Sequence, residues 1–191
     1  AVVMCADNGV VKEGVSQSDS SVTALCAKEI AEGNSNINVL AKLYNASVTA
    51  VDIGIDRDVE SEKLLKRKIS YGTKNIAEEA AMTTEQAEEA IAIGMDIVCD
   101  SKADIIITGE MGIGNTTTSA ALASVLLDLP PKEVTGRGAG LDSAGLKRKI
   151  SAIERAIAVN RPDKNKPIEL LAKLGGYDIA GMAGIFLGGA V

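Results

Sequence analysis

Histidine and tryptophan are absent from the 191 residues, and aromatic side chains make up only 2%. Three cysteines are present, Cys5, Cys26 and Cys99, with no C-x-x-C pair. Without histidine or paired cysteines no zinc site or other metal is expected. The odd, scattered cysteines and the lack of a signal peptide fit a reducing cytoplasm. No apolar run is long enough to span a bilayer. Basic residues form no broad face. They gather only in short runs at 63–68 and 147–149, and the formal net charge is −6. Nucleic acid and membrane are therefore not expected partners.

What is present is small and aliphatic. Apolar residues account for 46% of the chain, so a core must be built from Ala, Ile, Val, Leu and Gly. Such residues suit close packing of helices on a sheet. Val2 to Ala6 reads as a buried strand, and Val48 to Ile53, rich in β-branched residues, as the next. Between them lie helical patterns at 18–31, with Val22, Leu25, Cys26 and Ile30 inward, and at 36–44, with Ile37, Leu40, Ala41 and Tyr44 inward. Residues 56–73 read as a polar, mobile excursion with some helix. Thr83 and Gln86 form a capping box that opens a long helix ending near Ser101. Ala103 to Thr108 reads as the clearest buried strand, followed by a helix to about Leu127. Val134 reads as a short strand or turn, and helices follow over 143–159, 168–174 and 179–189. Alternating strands and helices indicate an α/β fold: a parallel, Rossmann-like sheet flanked by helices, with part of a smaller helical region. The chain is expected to be one core, incomplete at both ends, because it opens and closes inside apolar elements.

In parallel sheets, ligands sit beyond the carboxyl ends of the strands. Three loops qualify. In Thr108-Gly109-Glu110-Met111-Gly112-Ile113-Gly114-Asn115-Thr116-Thr117, glycines let backbone N–H groups approach an anion at a helix N-terminus. The same run reads equally as a tight turn with an Asn or Thr cap, and no lysine follows to make it a Walker loop. Gly136-Arg137-Gly138-Ala139-Gly140, with Lys147 and Lys149 beyond it, reads as an anion nest or as a flexible loop with surface lysines. Asp7-Asn8-Gly9 follows a buried strand, and Ser16, Gln17 and Ser18 line a pocket unless Ser18 caps the next helix. Gly175 to Gly184 reads as a helix stop and a new start.

Ordered along the chain, Asp7-Asn8-Gly9-Val10-Val11, Glu13-Gly14-Val15-Ser16, Gly72-Thr73-Lys74-Asn75, Gly109 to Thr117, Gly136-Arg137-Gly138 and Gly176 to Met182 resemble the nicotinate-nucleotide–dimethylbenzimidazole phosphoribosyltransferase family. The resemblance implies transfer of the phosphoribosyl group of nicotinate mononucleotide to 5,6-dimethylbenzimidazole, giving α-ribazole 5′-phosphate and nicotinate for the lower ligand of cobalamin. It also implies a homodimer and no cofactor. Glu110 would support the chemistry and, with Gly112, Gly114, Asn115 and Thr116, contact the nucleotide. Gly136, Gly138 and Lys149 would join them at its phosphate. Asp7, Ser16, Gln17, Ser18 and Met111 would form the base pocket. Many family members have His where this chain has Asn8. The family's glutamate base belongs to a Gly-Glu-Gly-Thr-like segment that these residues do not contain. Residues 17–21 fall in variable territory, which leaves the acceptor open between dimethylbenzimidazole and a purine or phenolic compound. A third reading is a non-catalytic nucleotide-binding fragment.

Overall fold

The computed structural model describes residues 1–190. Its centre is β1 (Val2–Ala6), buried along its whole length. Side chains on a strand alternate between faces. Accordingly Val2, Met4 and Ala6 enter one apolar core, and Val3 and Cys5 a second core on the opposite face. β2 (Thr49–Gly54), β3 (Leu65–Lys66) and β4 (Thr108–Met111) complete a sheet in the order β3-β2-β1-β4. Every pairing is parallel. The first and second cores cover both faces, which is why β1 and β2 read as nearly unbroken apolar runs.

α1 (Ser21–Glu32) and α2 (Asn36–Leu43) connect β1 to β2, and α1 packs on the second core through Ala27 and Ile30. The larger core is covered by α3 (Thr84–Cys99) and α8 (Tyr177–Gly188), with α4 (Asn115–Leu127), α6 (Ser143–Asn160) and α7 (Pro167–Leu174) beside them. α3 and α8 approach so closely that a Cβ on Gly184 would lie 2.0 Å from the Ile91 carbonyl oxygen. The capping box at Thr83 and Gln86 is formed by reciprocal bonds of 3.0 and 3.2 Å. No helix among the described residues is long and apolar enough to cross a membrane.

Five local expectations are corrected. β4 begins only at Thr108, and Ile105 is 80% exposed. The register pairs Val2 with Thr108, so residues 103–106 have no strand opposite them. The excursion at 56–73 contains β3 and no helix. It is pinned by Lys68, whose ammonium bridges the Asp52 carboxylate (3.0 Å) and the Arg57 carbonyl (3.2 Å) and also meets the Ile55 carbonyl. Val134 ends a short helix, α5 (Pro131–Val134), which Pro131 opens because a first-turn residue needs no N–H bond. α1 starts at Ser21, so Ser18 does not cap it. Finally, Leu25, Leu40 and Tyr44 face outward. In α2 the inward anchor is polar: buried Asn38 caps Ser35 and donates to the Ile30 carbonyl at 3.1 Å.

Candidate active site at the carboxyl ends of β1 and β4

Chain order reverses between β1 and β4: β2 and β3 lie on one side of β1, and β4 on the other. A crevice at such a switch point is where open α/β sheets bind ligands. Asp7 and Asn8 leave β1 here, and Gly112 to Gly114 leave β4. The two loops touch. The Asn8 N–H donates to the Ile113 carbonyl (3.4 Å), and the Ile113 N–H to the buried Thr23 hydroxyl (3.0 Å).

α4 starts in this crevice with Gly114 at its N-cap in a left-handed conformation (φ 95°). A side chain at Gly114 would also strike Val11. Two polar pairs flank the first turn of α4. On one side the Asn115 amide donates to the Glu110 carboxylate. Glu110 is open to solvent, yet its carboxylate sits in a recess of protein atoms whose desolvation raises its pKa. On the other side the Lys149 ammonium donates to the Thr116 hydroxyl at 2.7 Å. Lys149 is only 1% exposed and forms no ion pair among the described residues. Burial lowers its pKa. Gly138, also left-handed (φ 55°), passes over this pair. A Cβ there would come within 3.0 Å of the Thr116 hydroxyl and 3.3 Å of the Lys149 ammonium.

The structure thus brings Glu110 to Asn115, and Thr116 to Lys149 and Gly138. Gly112 lies in the turn that leaves β4. It is buried, and a Cβ would meet the Ala6 carbonyl at 2.2 Å and the Asp178 carboxylate at 2.7 Å. Gly136 is exposed, and a Cβ there would meet nothing within 4 Å. Its neighbour Arg137 does not turn to the site; it bonds the Leu141 carbonyl (2.8 Å) and the Ser143 hydroxyl (3.2 Å). Lys147, weighed beside Lys149, is exposed. Gln17 ties the 16–18 loop to the glycine loop through the Gly140 carbonyl (2.8 Å), and the Ser16 hydroxyl accepts from the Ser18 N–H (3.2 Å). Met111 is half-buried against the second core.

Asp7 lies on the β2 side of the crevice, lining a cleft of about 280 Å³ with Asn8, Lys12, Ser20, Asp56 and Tyr71. Its carboxylate accepts from the Asp56 N–H at 2.9 Å, and burial raises its pKa to about 6. Two residues of the crevice escaped the sequence reading as site residues: Thr118 and Asp178, each 0% exposed. Asp178 opens α8 and contacts the Asn8 amide (3.4 Å). A carboxylate within the small-residue run Gly175 to Gly184 was the signal available for it.

A family profile described as Phosphoribosyltransferase matches residues 1–191. A nicotinate-nucleotide–dimethylbenzimidazole phosphoribosyltransferase of Acetivibrio thermocellus is 48% identical over 99% of this chain and 55% of its own length. The enzyme of that name from Clostridium acetobutylicum is 44% identical over 100% of this chain and 55% of its own. The crystal structure of CobT from Thermus thermophilus superposes with a TM-score of 0.93 at 40% identity, covering 99% of this chain and 58% of that one. The chain therefore spans just over half the length of these relatives, and it belongs to the phosphoribosyltransferase family that they represent.

Proposed function

We propose that the protein transfers the phosphoribosyl group of nicotinate mononucleotide to 5,6-dimethylbenzimidazole, forming α-ribazole 5′-phosphate and nicotinate. The observation that carries this reading is Lys149, a buried ammonium whose bonded partner is a neutral hydroxyl. A buried charge without a counterion is costly, so the site suits an anion. A 5′-phosphate beside Lys149 would meet the positive end of α4 and the open backbone at Gly136 and Gly138. Anchoring the phosphate there would orient the ribose.

The reaction is a displacement at the anomeric carbon. The acceptor nitrogen forms a bond to C1′ as the bond to nicotinate nitrogen breaks, and the departing nicotinate keeps that electron pair. Attack opposite the leaving group turns a β-nucleotide into an α-ribotide. The acceptor's other nitrogen must then lose a proton, which is work for a carboxylate. Glu110, at the end of β4 with a raised pKa, supports that step. Asp7, Ser16, Gln17, Ser18 and Met111 would shape the acceptor site.

Incubating the full-length protein with nicotinate mononucleotide and dimethylbenzimidazole, and resolving products by liquid chromatography, tests the reading. Appearance of the α-ribotide together with nicotinate is the expected result; failure to form either would overturn it. We further infer a homodimer in a reducing cytoplasm. The exposed apolar residues Val39, Leu40 and Leu43 on α2 and Tyr44 at its C-cap support self-association, and sedimentation of the full-length protein checks it.

A further inference from the structure

Asp178 is wholly buried, and its carboxylate forms no ion pair among the described residues. Such a group is retained at a cost unless it organises something. Its surroundings are built for it. A Cβ on Gly176 would come within 2.4 Å of one carboxylate oxygen, and a Cβ on Gly112 within 2.7 Å of the other. One oxygen accepts from the Ile179 N–H (3.0 Å), the other from the Asn8 amide (3.4 Å). This sets the Asn8 amide with its nitrogen toward α8 and its oxygen toward α4. There the Thr118 hydroxyl has two acceptors for one proton, the Asn8 side-chain oxygen (3.4 Å) and the Asn115 carbonyl (2.8 Å). Asn115 in turn holds Glu110.

We propose that Asp178 is a positioning residue for Glu110: it orients Asn8, which through Thr118 places Asn115 and hence the Glu110 carboxylate at the end of β4. Asp178 itself is sealed beneath the crevice and touches no substrate. The inference rests on the phosphoribosyl-transfer reading. The ionisable groups that bear on Asp178 are Glu110 from β4 and the Cys5 thiol from β1. Burial, with the Glu110 charge second, raises the Asp178 pKa to about 7, so the two carboxylates are coupled as well as connected.

Asp178→Asn keeps the shape but offers one acceptor oxygen where two N–H donors arrive. In the full-length protein it is expected to lower kcat about 10- to 100-fold, the scale of a misplaced catalytic group. The KM for nicotinate mononucleotide should stay within about threefold, because the Lys149–Thr116 pair lies outside this chain of contacts. The ¹³C carboxyl titration of Glu110 should move to higher pH as the Asn115 amide, a donor to its charged form, is displaced. An unchanged kcat with an unmoved Glu110 titration would overturn the proposal, as would kcat and KM failing together with the melting temperature. Thr118→Val, nearly isosteric, cuts the same chain without touching a carboxylate and should also lower kcat selectively. If Asp178→Asn does not fold, an unchanged kcat in Thr118→Val overturns the proposal. A wild-type protein that makes no α-ribotide would sink the functional reading alone, because the Glu110 titration reads the positioning without turnover.

Discussion

Replacing Lys149 with Met removes an ammonium and keeps an apolar stem of similar length. Lys149 is 1% exposed, and its hydroxyl partner Thr116 is exposed and can turn to water instead. Exchanging unpaired buried charge for well-packed apolar volume is neutral to stabilising, so the unliganded variant should gain about 1–2 kcal/mol. In a domain of this size that raises Tm by roughly 2–8 °C. Affinity for nicotinate mononucleotide should move the opposite way. A hydrogen bond to a charged group contributes about 1.5–3 kcal/mol, so affinity should fall roughly 10- to 150-fold. The pH dependence separates this account from simple repacking. Burial lowers the Lys149 pKa below 10.5. Between that lowered value and 10.5 the unfolded chain binds the proton better, so wild-type stability rises with pH across this window. The Tm advantage of Lys149→Met is therefore full below the window and closes toward pH 10.5. Differential scanning calorimetry of both proteins, alongside titration calorimetry with the nucleotide, reads all three effects. A variant that melts lower and binds the nucleotide as before would refute the reasoning.

Other perturbations test other parts of the molecule. Lys68→Met strands the Asp52 carboxylate, whose side chain is 4% exposed; a loss of about 3–5 kcal/mol in urea unfolding is expected. Gly184→Ala drives a methyl into the Ile91 carbonyl and should cost about 3 kcal/mol by the same assay. Gly136→Ala meets nothing and should stay within about 0.5 kcal/mol, while weakening nucleotide binding if the backbone there approaches the phosphate. Asp7 has its pKa raised from 3.8 to about 6, so the folded state holds its proton more tightly and loses stability as pH rises through that interval. Asp7→Asn should consequently be more stable than wild type at pH 8, by up to about 3 kcal/mol. The gain should vanish below about pH 4, as thermal melts across pH will show.

The fold was legible where local chemistry and burial agree. Val2 to Ala6 and Val48 to Ile53 pack on both faces, so their continuous apolar character is a direct record of the sheet. Thr83 and Gln86 cap α3 through bonds made within four residues. Ala103 to Thr108 misled because composition records apolarity and not partners: Ile105 and Ile106 have the residues of a strand and no strand opposite them, and the ladder with β1 begins only at the Ile107 carbonyl. Leu40 and Tyr44 misled for a related reason, since Asn38 won the inward position on α2 through bonds across to Ile30. The glycine loops marked the carboxyl ends of β1 and β4, where the candidate crevice lies. How each glycine packs was not legible: a Cβ on Gly112 would meet the Ala6 carbonyl and the Asp178 carboxylate, and one on Gly138 the Thr116 hydroxyl and the Lys149 ammonium. Lys149 stood in a run of three basic residues, and the helical turn alone decides that it points inward while Lys147 and Arg148 do not.

The electrostatic plan of the crevice follows from these placements. The first turn of α4 lies between an unpaired buried cation, Lys149, and two coupled carboxylates, Glu110 and Asp178. Within the protein itself neither side neutralises the other by direct contact. Each raises the free energy of the folded state, as the opposite pKa displacements of Lys149 and Asp178 record. A nicotinate nucleotide has the complementary pattern, a phosphate at one end and a cationic pyridinium ring at the other. Bound with its phosphate at Lys149, it would direct that ring toward the carboxylate side. That attraction weakens when the ring leaves as neutral pyridine, which favours departure of nicotinate only if the carboxylates bind the developing sugar cation more strongly than the ring. Asp178→Asn separates these possibilities: a larger loss in kcat than in nucleotide affinity places the negative field on the transition state, and an equal loss places it on ground-state binding.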